Sequence, residues 1–114
     1  MIDLTYLNDI TDGDIDTKRQ LIELFFTQAD EIKQRFILAQ LSDDVDEMGR
    51  TAHIAKSTTR VMGINDVADR MELLQRIAEQ KTTPEEYPAL IKYYLDNIPT
   101  AVEELKQELA KLPS

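Results

Sequence analysis

Apolar residues recur at intervals of three and four along nearly the whole 114-residue chain, and short polar breaks interrupt the recurrence. Such spacing predicts amphipathic helices, because strands would alternate with a period of two. The clearest run extends from about Asp16 to Leu41, where Ile22, Phe25, Ala29, Ile32, Phe36 and Ala39 form one stripe. Leu21, Leu24, Phe26, Ile37 and Leu38 broaden it. Ahead of it, DLTYLNDI predicts a short helix capped near Asp3 or Thr5, and TDGDID predicts a break with Gly13 in a turn. After it, Ser42 or Asp43 is expected to cap a helix that runs to about Met62 and ends at Gly63. That helix turns Val45, Met48, Ala52, Ala55, Thr59 and Met62 inward. NDVADRMELLQRIAEQ opens on an Asn65–Asp66 cap pair and directs Val67, Met71, Leu74 and Ile77 or Ala78 to the core. Thr83 and Pro84 mark the start of the last helix, whose inward positions include Ile91, Tyr94, Ile98 and Leu105. Pro99 removes the donor for the carbonyl of Leu95 and predicts a kink or a local break there.

Four substantial helices preceded by a short one, with short connections, predict an all-α fold. The simplest architecture is an up-down antiparallel four-helix bundle in a single domain over residues 1–114. Only three glycines and four prolines interrupt the chain.

Composition narrows the chemistry. With no cysteine, disulfides, thiolate metal sites and thiol catalysis are excluded. No long apolar run predicts a membrane span and no charged-then-apolar leader opens the chain, so a cytoplasmic protein is expected. Twenty-two Asp and Glu outweigh thirteen Lys and Arg, giving a net charge of −9. A nucleic-acid backbone or an anionic membrane would repel such a surface. One histidine, with the acids on other faces, makes no metal site.

Against this acidic background one stretch stands apart: RTAHIAKSTTRVMG, residues 50–63, which gathers three cations around His53, the single histidine. Successive helical residues turn about 100°, which puts His53 on the outer side of its helix, with Gly49, Arg50, Lys56, Ser57 and Arg60 nearby on the wheel. Helical side chains lean toward the N-terminus, so the ring lies over Gly49, which leaves it accessible, and Lys56 and Ser57 lean toward it. An unperturbed imidazole titrates near pH ~6.5 and is largely neutral, hence nucleophilic, at pH 7. A phosphoryl group on the ring would bring roughly two negative charges, which Lys56 can meet with a charge-assisted hydrogen bond. Arg50 and Arg60 extend the positive face. Apart from Asp46, two turns away, this face holds no carboxylate to activate water, which suits a carrier better than a hydrolase. The simpler reading is a solvated histidine, with Arg50 paired to Asp46 or Glu47, Arg60 paired to a nearby acid, and Gly49 serving close helix packing.

These residues resemble the histidine-containing phosphotransfer (HPt) family of multistep phosphorelays, whose pattern is Ala–His, two residues, then Lys–Gly–Ser, with an apolar residue and a glycine shortly after. Ala52, His53, Lys56, Ser57, Thr58, Met62 and Gly63 stand at the matching spacing. DLTYLNDITDGD, LIELFFTQADEIKQRF and NDVADRMELLQRI extend the likeness over nearly the whole chain. The resemblance implies that His53 accepts a phosphoryl group on Nε2 from the aspartyl phosphate of a receiver domain and passes it to another receiver's aspartate. It further implies that Mg²⁺ is supplied by the receiver, that the chain binds no cofactor of its own, and that an apolar patch near the histidine docks the receiver. Phe26, Ile37, Ile54 and Val61 are the candidates for that patch, each also a candidate for the core. No glycine-rich phosphate loop supports an ATP-dependent kinase, and a monomeric carrier is expected. The departure is Ser57, where the family usually has glycine. Its hydroxyl either bonds the phosphoryl group or crowds the receiver, and the second case would leave an adaptor that docks a receiver or kinase without phosphotransfer.

Overall fold

The computed structural model describes residues 1–113. Five α-helices follow one another: α1 (Thr5–Thr11), α2 (Ile15–Leu41), α3 (Val45–Val61), α4 (Asn65–Gln80) and α5 (Tyr87–Lys111), with a 3₁₀ turn, Pro84–Glu86, leading into α5. Helices α2 to α5 form the up-down four-helix bundle, and no strand occurs among the described residues. At about 1.5 Å per residue, α2 and α5 are each roughly 40 Å long and α3 and α4 roughly 25 Å. The short pair therefore lies along the C-terminal half of α2 and the N-terminal half of α5. Beyond that pair the long helices continue together, and α1 covers their exposed flank by burying Leu7 and Thr11. The particle accordingly measures 46 × 22 × 18 Å.

The stripe expected on α2 is the one the fold buries: Ile22, Phe25, Ala29, Ile32, Phe36 and Ala39. On α3, Met48, Ala52, Ala55 and Thr59 are buried, together with Gly49 and Thr51. Val67, Met71, Leu74, Ile77 and Ala78 turn inward from α4, and Ile91, Tyr94, Ile98, Ala101 and Leu105 from α5. Leu24 and Leu38, which widen the α2 stripe in sequence, are exposed instead. A 27-residue helix presents more apolar positions than its neighbours cover.

The helix ends differ from expectation in instructive ways. Asp44, not Ser42 or Asp43, caps α3, its carboxylate accepting from the backbone N–H of Glu47 at 3.0 Å. Ser42 instead closes α2, its hydroxyl donating to the carbonyl of Leu38 at 2.8 Å. Asp43 takes the left-handed conformation that reverses the chain. No side chain among the described residues caps α4, because the N-cap position falls on the apolar Ile64; Asn65 is already the first helical residue, and its carboxamide oxygen accepts from Arg60. At α1, Asp3 accepts from the N–H of Thr5, as the sequence suggests. Helix α5 continues through Pro99 from Tyr87 to Lys111 without a break. Pro99 is exposed while Ile98 and Ala101 on either side of it are buried, so packing holds the helix where one backbone bond is missing.

Gly63 is required twice. Its φ of +67° favours glycine, and a Cβ there would lie 2.0 Å from the carbonyl oxygen of Asp3. The segment before α1 thus crosses directly over the α3–α4 corner, and the N–H of Asp3 donates to the carbonyl of Met62. No helix among the described residues is long and apolar enough to cross a membrane.

Candidate functional site

Helix α3 meets α4 through small residues. A Cβ on Gly49 would come within 3.3 Å of the Ala78 Cβ, so this mid-helix glycine serves close packing. The approach also draws the polar edge of α4 alongside the outer face of α3. His53 is exposed on that face, at the mouth of a groove of about 610 Å³ that includes Gly49, Arg50 and Ile54 of α3, Arg35 of α2, and Gln75 and Glu79 of α4.

The ring is held from α4. Its Nδ1 lies 3.2 Å from Gln75 Oε1, and the Gln75 amide Nε2–H donates to Glu79 Oε1 at 2.9 Å. A carboxamide oxygen only accepts, so the Nδ1–H of a neutral ring donates to it and the lone pair resides on Nε2. That nitrogen has no partner among the described residues. The result is an exposed, oriented imidazole with its free nucleophilic nitrogen pointing away from its anchor.

The positive face is largely compensated. Arg50 Nε donates to Glu47 Oε2 at 3.0 Å, and Arg35 grips Glu47 Oε1 through both Nε and Nη2. The Arg35 hydrogen bonds, then that of Arg50, hold the Glu47 carboxyl below its usual range. Arg60 pairs with Asp69 at 2.6 Å. Asp46 pairs with Lys81 at 2.5 Å, and that lysine lowers the Asp46 carboxyl. Lys56 alone of the three cations in residues 50–63 forms no ion pair among the described residues. Lys56 is thus the one of the three whose charge no described carboxylate offsets in an ion pair.

Ser57 is turned back on its own helix. Its hydroxyl donates to the carbonyl of His53 at 3.2 Å, the i−4 back-bond common for serine in helices. Ser57, Arg60 and Val61 line a neighbouring groove beneath α1, together with Tyr6. Among the docking candidates, Ile54 and Val61 thus fall on two adjoining grooves of the His53 side. Phe26 lies elsewhere, against Tyr94, Ile98 and Val102 on the α2–α5 seam, and Ile37 is half-buried on α2.

Two residues that a wheel of α3 cannot show are Gln75 and Glu79. Besides Asp46 of α3, which is paired with Lys81, the groove receives a second carboxylate, Glu79, from α4, where it is occupied by the Gln75 amide. Among the described residues no group of three or more His, Asp or Glu side chains is arranged to hold a metal ion.

The Hpt domain family matches residues 20–113, the span from α2 to the end of α5. The chain belongs to the Hpt domain family. The fold of this Hpt domain is similar to the crystal structure of histidine-containing phosphotransfer protein B (HptB) from Pseudomonas aeruginosa PAO1, with a TM-score of 0.88 over 98% of this chain and 96% of that one. At 21% identity this likeness concerns the fold. It takes in α1, which lies outside the sequence match. No curated protein matches the chain.

Proposed function

We propose that this Hpt domain is a phosphoryl carrier of a multistep phosphorelay. His53 Nε2 takes a phosphoryl group from the aspartyl phosphate of one receiver domain and delivers it to the aspartate of another. The observation that carries this reading is the exposed ring itself, with Nδ1 tied to Gln75, Nε2 free, and the unpaired Lys56 one turn further on. In the forward step the P–O bond to the donor aspartate breaks as the N–P bond forms, and its electron pair returns to the carboxylate. Nε2 has no proton to lose. The ring gains positive charge, which the Gln75 oxygen and the Glu79 carboxylate behind it offset. Lys56 meets the transferred oxygens with a charge-assisted hydrogen bond. Reversal of the same atoms onto a second aspartate completes the relay.

Phosphoryl transfer relies on positioning and electrostatics more than on covalent machinery. In this reading the receiver supplies Mg²⁺ and most of the stabilising charge, and the Hpt domain supplies an oriented nucleophile without ATP-dependent activity of its own. The receiver docks over the His53 groove, with Ile54 and Val61 at the contact. The test is incubation with a phosphorylated receiver and Mg²⁺. Acid-labile, base-stable label is expected on the chain and absent from His53→Gln. Receiver binding that is equal in the two forms, with label in neither, would replace the carrier with a docking adaptor.

A further inference from the structure

The orientation of the ring depends on which end of the Gln75 carboxamide faces it, and glutamine alone does not decide this. An amide presenting oxygen to Nδ1 selects the Nδ1–H tautomer and leaves Nε2 nucleophilic. An amide presenting NH₂ would donate to Nδ1, place the proton on Nε2 and block it. In water the Nε2–H tautomer of neutral histidine is the commoner one, so the nucleophilic form has to be selected. We infer that Glu79 is the positioning residue that makes this selection, acting through Gln75.

An ionised carboxylate has no proton to give. Glu79 Oε1 sits 2.9 Å from the Gln75 amide nitrogen, four residues back on the same helix face. It therefore requires the NH₂ end of Gln75, and Oε1 is left for the ring at 3.2 Å. The order acceptor-only carboxylate, amide, imidazole fixes one direction for the whole chain of hydrogen bonds. Glu79 touches neither the reacting nitrogen nor the phosphoryl group. The groove cations leave it undisturbed, because Arg35 and Arg50 are both bound to Glu47, and the nearby Lys81 is bound to Asp46. The close α3–α4 approach at Gly49 and Ala78 brings this three-residue relay into register. The role of Glu79 deepens the carrier reading, since a selected Nε2 lone pair matters only if Nε2 reacts.

The test reads the tautomer directly and needs no phosphotransfer. The chain has one histidine, so ¹⁵N correlation spectra of its ring are unambiguous. They are recorded near pH ~8, above the range where imidazoles usually titrate. The wild type should show a pyrrole-type Nδ1 and a pyridine-type Nε2. Glu79→Lys places a donor where the acceptor was, demands the amide oxygen and should shift the population to Nε2–H. Gln75→Glu in that background gives the lysine and Nδ1–H one shared acceptor, and should restore the Nδ1–H form. Helical circular dichroism accompanies each variant, and Glu79 is exposed, so the fold should persist. A wild-type ring in the Nε2–H form would overturn the inference. So would a Glu79→Lys spectrum unchanged from wild type, or a double variant that fails to revert. If the tautomers behave as stated but no receiver ever labels the chain, the role of Glu79 stands and the carrier reading falls.

Discussion

The two seams of the bundle are built from opposite materials. Between α2 and α5 the contact is aromatic, with the Phe36 and Tyr94 rings edge-to-face at 5.5 Å and Phe25, Ile98 and Leu105 buried further along the two helices. Between α3 and α4 it is small, with Gly49 against Ala78 and Ala52 and Ala55 close by in the core. Aromatic burial contributes most to stability and tolerates some repacking. A seam of small residues contributes less area but sets backbone separation closely, because little side chain intervenes to adjust. The first seam buries the bulkiest side chains, Tyr94, Phe25 and Phe36. The second sets the distance at which Gln75 meets His53.

Substitutions should separate the two roles. Phe36→Ala leaves a cavity beside Tyr94 and should cost about 3–5 kcal/mol of unfolding free energy, measured by urea denaturation. The tautomer of His53 and the transfer rate of the folded fraction should barely change. Lys56→Ala acts in the reverse sense. It should slow phosphotransfer about tenfold, the equivalent of about 1.4 kcal/mol, with the denaturation midpoint nearly unmoved. Wild-type transfer in that variant would remove Lys56 from the account and return the field to Arg50 and Arg60.

Tyr94→Phe probes the aromatic seam more finely. The Tyr94 hydroxyl is buried without a hydrogen-bond partner among the described residues, and desolvating such a group is costly, so its removal should stabilise the fold by about 1 kcal/mol. Burial also raises the Tyr94 phenol above its ordinary value. The stability that goes with the neutral phenol is fully present below pH ~10, the unfolded value, and is lost as pH rises from there toward the folded one. Alkaline unfolding should therefore set in later in Tyr94→Phe.

Gly49→Ala is the mildest change and the most selective. Alanine favours the helix by up to about 1 kcal/mol, yet its Cβ would meet that of Ala78 at 3.3 Å and push α4 outward by a few tenths of an ångström. Stability should stay within about 1 kcal/mol of wild type while transfer falls severalfold. Equal effects on both would mean the small seam has no special bearing on the site.

Much of this was legible in the chain. The α2 stripe from Ile22 to Ala39 gave the helix and its buried face together, because each position repeats at three or four residues. His53 and Lys56 stood out by type and spacing on a single helix. What lay beyond reach depended on how two helices meet. Gln75 and Glu79 look like ordinary polar residues on the outside of α4, and only the register of α4 against α3 makes them part of the site. The one available signal was Gly49, an unfavourable mid-helix residue that marks a close approach without saying which partner approaches. Phe26 shows the same limit from the other side. Its wheel position suits either neighbour, and the fold assigns it to the seam with α5. The pairing of Arg50 with Glu47, one turn away on its own helix, was legible too, and so was an acidic partner for Arg60; that this partner is Asp69 depended on where α4 lies.

The central claim is that His53 carries a phosphoryl group on Nε2, and nitrogen–phosphorus correlation NMR of the ¹⁵N-labelled Hpt domain, after exposure to a phosphorylated receiver and Mg²⁺, tests it most directly. A single phosphohistidine is expected, with phosphorus coupled through Nε2, formed at the oriented ring and absent from His53→Gln. Phosphorus on Nδ1, or a fully formed receiver complex with no phosphohistidine at all, would contradict it.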